Sequence, residues 1–230
     1  MVNIVEKEKK RKNIFADKAS LILRRILQNP SKRWVVRDFT GEKEVSLGLV
    51  QGVLEELTRQ GYAERVKKGP KSYTILINRK ELLNAWLKQY SFEFNEVDIY
   101  YSPEKDILRR IKSLLNKERY VLTLHSGANL ITSYVKTDNV HFYFYTKNWE
   151  QDILNLRQKL DFKELVRGGN IHVIRPYYKQ SLLFNSQMIK GYHVVSNLQL
   201  YLDLFNFQPR GREHAQYLEK ILKDKGKTLD

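Results

Sequence analysis

Ser126 is the residue whose type most readily suggests catalysis, because a serine hydroxyl activated by a neighbouring base can attack a carbonyl or phosphoryl group. It lies in the sequence Leu-His-Ser-Gly-Ala, which lacks the glycine found two positions before the serine of a nucleophile elbow. A predicted helix follows directly, so capping of that helix is the expected role of Ser126. The sequence predicts no catalytic serine.

Metal and phosphate chemistry are the next candidates, and the spacings they require are missing. The chain has no cysteine, and no two histidines have metal-ligand spacing, so we expect each histidine to be a strand or surface residue. The sequence has no glycine-rich phosphate loop, and the predicted strand at 140–145 has no acid for a nuclease metal site. We therefore predict no catalytic residue, no metal and no cofactor. The histidines are His125, His141, His172, His193 and His214.

Binding of a polyanion is better supported, because the positive charge is concentrated in one segment. Residues 1–80 contain 19 Lys/Arg against 9 Asp/Glu, a net charge of +10 out of +15 for the chain. Such a basic excess is typical of a nucleic-acid-binding module. A solvated basic surface and a membrane-surface patch remain alternatives at this point.

The basic segment has a regular pattern of predicted elements. Apolar residues at helical spacing predict a helix over 17–28, a short helix over 33–40, and a third helix that Ser46 caps and Gly61 ends. The pattern then changes to period two, which predicts strands over 62–66 and 72–77 around a lysine-rich Gly-Pro turn.

The third helix has an unusual outer face. The apolar face is formed by Leu47, Val50, Val53, Leu54 and Leu57, and the outer face opposite carries Gly48, Gly52, Glu55 and Arg59, with Leu49 and Gln51 beside it. Two glycines there cost about 1 kcal/mol each relative to alanine. Close approach of the helix backbone to a DNA major groove would explain this cost. A surface helix of low stability and a helix–helix contact are the alternatives.

Helix, short helix, helix and basic hairpin is the element order of a winged helix-turn-helix domain. In such a domain the third helix enters the major groove while the lysines of the hairpin, or wing, contact phosphates. The basic run at 7–12 could be an arm that follows the minor groove or backbone, or it could simply be solvated. The predicted DNA-binding residues are Lys9, Lys10, Arg11, Lys12, Arg33, Lys43, Ser46, Gly48, Leu49, Gln51, Gly52, Arg59, Lys67, Lys68 and Lys71.

The remainder of the chain predicts a mixed-sheet α/β domain, so the fold class is α+β. We predict an arm at 1–14, a winged helix-turn-helix at 15–78, a connection at 79–95 and the α/β domain at 96–230. Predicted helices are 79–92, 103–117, 126–134, 149–160, 196–206 and 211–223. Predicted strands are 120–124, 140–145, 162–166 and 171–174, the last two forming a hairpin through Gly168-Gly169-Asn170.

The second half of the chain has a distinctive motif, Val-Val-Ser-Asn-Leu-Gln-Leu-Tyr-Leu-Asp-Leu at 194–204, followed by Pro-Arg-Gly-Arg-Glu-His-Ala at 209–215. Three shorter motifs precede it: Leu-Leu-Asn-Ala-Trp at 82–86, Ser-Gly-Ala-Asn-Leu at 126–130, and Arg-Gly-Gly-Asn at 167–170 followed by Arg-Pro-Tyr at 175–177. These motifs resemble those of AbiEi-type antitoxins, the transcriptional autoregulators of type IV toxin–antitoxin systems, and the motif at 194–215 is the most specific of them. The resemblance implies a winged-helix domain that represses its own operon and a second domain that counters a nucleotidyltransferase toxin.

Five motif residues are candidates for a structural or partner-contact role: Ser126, Asn129, Asp203, Arg210 and Arg212. Asp203 precedes Arg210 by seven residues and Arg212 by nine, so we expect it to pair with one of them across the turn at Pro209. This pair would clamp two helices together, and contact with a toxin or small ligand is the alternative.

The sequence is best interpreted as a cytoplasmic, non-catalytic regulator with operator DNA and a cognate nucleotidyltransferase toxin as partners. The absence of cysteine fits a reducing compartment, and no apolar run is long enough to span a membrane. The sequence leaves a homodimer open. Two rival functions are a nucleic-acid-processing enzyme targeted by the winged helix and a regulator whose second domain senses a small molecule. An acidic cluster in the folded second domain would favour the enzyme, and an apolar pocket with a few polar groups would favour the sensor.

Overall fold

The computed structural model describes residues 12–39, 45–116 and 118–229. The chain divides into two compact units, Met1–Trp86 and Leu87–Asp230, here called unit 1 and unit 2. The described residues contain eight α-helices and two sheets, which confirms the predicted α+β class. None of the helices in this part of the chain has the length and apolar character needed to cross a lipid bilayer.

Unit 1 consists of helices followed by a two-stranded antiparallel sheet. A short 3-10 turn at Val36–Phe39 separates the first two helices and is shorter than the predicted helix at 33–40. The elements are α1 (Asp17–Gln28), α2 (Leu47–Arg59), β1 (Ala63–Val66), β2 (Tyr73–Leu76) and α3 (Arg79–Gln89), the last of which crosses the boundary into unit 2.

The core of unit 1 lies between the apolar faces of α1 and α2. Ile22, Val50 and Val53 are fully buried there. Trp34 is also buried, and its backbone exchanges two hydrogen bonds with Thr74, which ties the segment before the 3-10 turn to β2. The expectation that Leu47 lies on the apolar face is wrong, because this first residue of α2 is 53% exposed and the core beneath the helix begins only at Val50.

Unit 2 is built on a mixed six-stranded sheet with the order β3-β6-β5-β4-β8-β7. The β6–β5 and β4–β8 pairs are parallel and the other three are antiparallel. The strands are β3 (Glu96–Tyr100), β4 (Tyr120–Leu122), β5 (Val140–Phe144), β6 (Ile171–Arg175), β7 (Gln187–Ile189) and β8 (Tyr192–Val194).

Helices cover both faces of this sheet. Because side chains alternate along a strand, Tyr143 and Phe144 of β5 point to opposite faces. Tyr143 contacts Asp203 of α7, and Phe144 contacts Trp149 of α6. The helices of unit 2 are α4 (Ile107–Leu114), α5 (Leu124–Thr132), α6 (Trp149–Leu160), α7 (Asn197–Phe205) and α8 (Gly211–Asp224).

The predicted hairpin of residues 162–166 and 171–174 is wrong. Residues 162–166 contribute only one isolated bridge, between Lys163 and Tyr101, and β6 pairs with β3 and β5 instead. Two consecutive glycines with positive φ, Gly168 and Gly169, lead the chain past the end of β3 before β6 begins. The strands β3, β7 and β8 were not predicted.

Candidate nucleic-acid interface and the motif residues

The first turn of α2 is fixed by Ser46, whose hydroxyl accepts a hydrogen bond from the Leu49 amide at 3.2 Å. This is N-capping, so Ser46 is already used by its own helix. The outer face begins at the exposed Gly48, whose carbonyl accepts a hydrogen bond from the Lys12 ammonium group at 3.0 Å. The side chain of Lys12 therefore lies across a face that was expected to be bare.

Further along α2, the polar side chains are paired within the helix. The Gln51 amide donates to the Glu55 carboxylate at 2.9 Å, and the Arg59 guanidinium makes two hydrogen bonds, of 2.8 and 2.5 Å, with Glu56. Leu49 is half-buried. Of the side chains predicted to contact DNA from this helix, Gln51 and Arg59 therefore already have acidic partners, which use some of the donors that they could offer to a base or phosphate.

The hairpin of unit 1 carries a concentration of positive charge. Lys67, Lys68 and Lys71 are all exposed at its turn, where Gly69 adopts positive φ. A cleft of about 570 Å³ is lined by Glu55 of α2 and by Arg65, Lys67, Gly69 and Ser72 of the hairpin. The outer face of α2 and the hairpin thus border one concave surface, with cations on the hairpin side.

Five predicted DNA-binding residues remain to be placed. The Arg33 guanidinium stacks on the ring of Tyr73 at 5.0 Å, at the edge of the hairpin. Lys9, Lys10, Arg11 and Lys43 lie outside the described residues.

In unit 2, the motif residue Asp203 lies at the centre of a buried polar network. Its Oδ1 accepts hydrogen bonds from the Tyr90 hydroxyl and the Gln199 amide, both at 2.7 Å. Its Oδ2 accepts from the Thr123 hydroxyl at 2.5 Å and the Tyr143 hydroxyl at 3.0 Å. Four donors satisfy the four lone-pair positions of a carboxylate, so helix α7 is tied to β4, β5 and the segment that follows α3.

Burial changes the acid–base properties of this network. It raises the pKa of Asp203 to about 6, although the four hydrogen bonds act to lower it. The pKa values of Tyr90 and Tyr143 are raised well above that of a free tyrosine, first by burial and then by the Asp203 charge. At neutral pH the aspartate is therefore ionised and both tyrosines are hydrogen-bond donors.

The predicted pairing of Asp203 with an arginine is wrong. The Arg210 guanidinium lies over the ring of Tyr134 at 5.4 Å, and that of Arg212 over the ring of Phe205 at 4.7 Å. Asp203 itself is 0% exposed, and its neighbours are neutral donors. Asp203 lies on the inward-facing side of α7, whereas the arginines that follow it are exposed to solvent.

Two motif glycines allow helices to approach closely. A Cβ atom at Gly211 would lie 2.3 Å from the Leu204 carbonyl oxygen, and one at Gly127 would lie 2.8 Å from the Leu200 side chain. Both distances are shorter than a Cβ atom tolerates, so α8 and α5 come this close to α7 because glycine stands at these two positions. These motif positions are therefore explained by packing.

The polar motif residues are also engaged within the chain. The Ser126 hydroxyl donates to the Asn139 carbonyl at 3.1 Å and accepts from the His141 amide at 2.8 Å, so its predicted helix-capping role is wrong. The amide of Asn129 bonds the backbone N–H and carbonyl of Val135. Ser126 and Asn129 therefore join the loop between α5 and β5 to α5, beside a cleft of about 790 Å³. Other residues that line the cleft are Ser102, Glu104, Asp138 and Asn170.

Four of the five histidines come together, although their sequence spacing gave no sign of it. The rings of His125 and His214 stack at 5.1 Å and share a hydrogen bond of 2.8 Å between their Nδ1 atoms. The rings of His141 and His172 stack at 4.5 Å, and the His125 ring lies 6.1 Å from that of His141. We call these four residues the histidine cluster. The register of β5 and β6 pairs His141 with His172, but only a correct sheet order could have revealed it.

The environment of the histidine cluster favours neutral rings. Burial lowers the pKa of all four, and that of His214 falls to about 4, with further contributions from His125 and Arg210. The Nε2 atoms of His141 and His172 have no hydrogen-bond partner among the described residues. Within the same residues, no three histidine or acidic side chains are arranged to hold a metal ion.

These features define an α+β protein in which a small helical unit with a basic hairpin precedes a mixed-sheet unit. A family model described as transcriptional regulator, AbiEi antitoxin, type IV TA system matches residues 75–223, and the chain belongs to this family. The resemblance inferred from the motifs is thereby confirmed. Comparisons with curated proteins and with solved structures gave no match.

Proposed function

We propose that this protein is a DNA-binding autorepressor and antitoxin, acting in the cytoplasm on the operator of its own operon and against a nucleotidyltransferase toxin. DNA binding is assigned to unit 1 as a winged helix-turn-helix, with α2 as recognition helix and the β1–β2 hairpin as wing. Antitoxin activity is assigned to unit 2, without catalysis.

The observation that carries the DNA-binding proposal is the concave surface between the outer face of α2 and the hairpin. Its cationic side is formed by Lys67, Lys68 and Lys71, which are exposed at the hairpin turn. Exposed lysines beside a helix that presents little side-chain bulk match the requirements of a duplex, whose phosphates flank the groove. Membership of a family of transcriptional regulators supports the same assignment.

A non-catalytic role of unit 2 is supported by how its motif residues are used. Asp203 is fully buried and bonded to four neutral donors, and Ser126 bonds backbone groups. A reacting side chain must reach a substrate. Asp203 cannot do so without rearrangement of its surroundings, whereas Ser126 lines a cleft but its hydroxyl is bonded to two backbone groups. The cleft beside Ser126 is lined by polar and apolar groups in similar proportion, including Ile107, Leu108 and Leu130, so it does not match the largely apolar pocket expected of a sensor.

The salt dependence of DNA binding tests the wing. Removing one lysine–phosphate interaction should lower the slope of log affinity against log salt by about 0.9. We expect Lys67→Ala, Lys68→Ala and Lys71→Ala together to reduce that slope by up to about three. The measurement is a fluorescence-anisotropy titration of a duplex from upstream of the gene at several salt concentrations.

The matched control replaces the same three lysines with arginine, which keeps the charge and should keep the slope. An alanine variant with the wild-type slope would remove the hairpin from the interface.

The two proposed activities should be separable. In cells that carry the operon's nucleotidyltransferase, we expect the triple alanine variant to lose repression of an operator–reporter fusion while it still prevents growth arrest. The physical reason is that the substituted lysines are exposed in unit 1, whereas antitoxicity is assigned to unit 2. Loss of both activities by a folded variant at equal expression would contradict this division.

A further inference from the structure

The side chain of Lys12 lies against the backbone of Gly48 and Gly52 in α2, and we call this pair of glycines the seat. The Lys12 ammonium group lies 3.0 Å from the Gly48 carbonyl oxygen. A Cβ atom at Gly52 would lie only 2.6 Å from Cδ and 2.7 Å from Cε and Nζ of Lys12. The lysine stem therefore occupies the space that any side chain at position 52 would need.

The two glycines differ in this respect. A Cβ atom at Gly48 would meet no other described atom within 4 Å, so alanine fits there freely. A close approach of another group was expected at both glycines. At Gly52 the side chain of Lys12 makes such an approach. The outer face of α2 thereby gains a second positive charge, near its N-terminal end, in addition to Arg59 at its other end.

The position of this charge is electrostatically unfavourable without an anion. Gly48 lies in the first turn of α2, where the helix dipole is positive, and a cation at that end costs about 0.3–1 kcal/mol in exposed helices. A polyanion lying over the outer face would relieve this repulsion and interact with both positive groups.

We propose that Lys12, seated on Gly48 and Gly52, acts as a base-reading residue of α2 and contacts the acceptor-rich guanine edge in the major groove. The inference rests on the proposed DNA-binding function and departs from the expectation that the whole arm follows the minor groove or backbone. The ammonium group lies against Gly48 and Gly52, the two glycines of the outer face. In a groove, base edges face the middle of a recognition helix and phosphates face its flanks. Lysine pairs with guanine O6 and N7 through hydrogen bonds.

The seat can be tested in the free protein by thermal unfolding. Gly48→Ala should raise Tm by about 4 °C, because alanine favours the helix. Gly52→Ala should raise it less, because the new methyl group displaces Lys12. In a Lys12→Ser background, both alanine substitutions should raise Tm equally. Equal gains in the wild-type background would overturn the seat.

DNA titrations test the base contact. The probes are a duplex from upstream of the gene and a scrambled duplex of the same length. We expect Lys12→Met and Gly52→Ala to lose about tenfold affinity for the upstream duplex and little for the scrambled one. Lys68→Met is the control for a phosphate contact and should weaken both duplexes alike.

The outcomes separate this inference from the proposed function. Equal weakening of both duplexes by Lys12→Met, with a salt slope reduced by about 0.9, would mean a phosphate contact and overturn base reading. Unchanged binding by Lys12→Met would overturn it as well. If the wild-type chain binds neither duplex, the proposed DNA-binding function fails with it, whereas the unfolding comparison still decides whether Lys12 occupies the seat.

Discussion

Replacing Asp203 with alanine is expected to lower the free energy of unfolding by about 3 kcal/mol or more. The variant leaves the hydroxyls of Tyr90, Thr123 and Tyr143 buried without the acceptor to which they donate, whereas the Gln199 amide also donates to Tyr90. Each buried donor that is left without its partner costs about 1–3 kcal/mol. Urea unfolding at neutral pH measures the effect, with tyrosine and tryptophan fluorescence as the signal.

Asp203→Asn is the matched variant, because it keeps the size of the side chain and replaces one acceptor oxygen with a donor group. We expect it to be destabilising but milder than alanine, since two of the four donors keep an acceptor. Equal stability of the alanine variant and the wild-type chain would mean that the network is not formed in solution.

The free energy of unfolding of unit 2 should fall steeply as the pH is lowered, and this is the second large effect expected. The folded pKa values of the histidine cluster lie below the ordinary value of 6.5. The stability these groups supply is therefore fully present above pH 6.5 and is lost as pH falls through their folded values. Each ring that is protonated only in the unfolded chain contributes about 1.4 kcal/mol per pH unit. We expect at least two rings to act, so that the cluster contributes a slope of about 3 kcal/mol per pH unit near pH 5, from which the opposing contribution of Asp203 is subtracted.

The hydrogen bond inside the cluster explains why protonation is disruptive. The two Nδ1 atoms of His125 and His214 can share only one proton, so a doubly protonated pair would bring two donors together. Asp203 acts in the opposite direction, because a carboxyl with a raised folded pKa stabilises the chain below its unfolded value and loses that effect as pH rises through about 6.

The variant His141→Phe tests the assignment. It keeps the ring stack on His172 and removes one titrating group, so the slope near pH 5 should fall by about 1.4 kcal/mol per unit. The control is Ile174→Val in the same strand as His172, which should cost about 0.5–1.5 kcal/mol without changing the slope. An unchanged slope in His141→Phe would exclude this histidine from the acid response.

Periodicity predicted the helical part of the fold well. The bounds of α1 and α6 coincide with the expected 17–28 and 149–160, because each has a clear apolar face and a terminating signal. Short strands without such a pattern were missed. β7 and β8 have only three residues each, and the alternation that identifies a strand cannot be recognised over so few positions.

Contacts between distant residues were beyond sequence reasoning. Asp203 has a local arginine in the sequence, but its actual partners Thr123 and Tyr143 are 80 and 60 residues away. His125 and His214 are separated by 89 residues. Lys12 lies 36 residues before Gly48, so the glycines looked exposed when only the helix was considered.

The parallel pairing of β4 with β8 also governs how the protein can be made on the ribosome. Unit 1 closes within the first 86 residues, so it can fold while the remainder is still being translated. Leu122 of β4, by contrast, must wait for Val194, and Thr123 and Tyr143 must wait for Asp203. A nascent chain halted before residue 194 therefore carries a first unit and a second unit in which β4 lacks its neighbour β8 and α7 is absent. Proteases should cleave such a fragment readily, and they should cleave its second unit before its first.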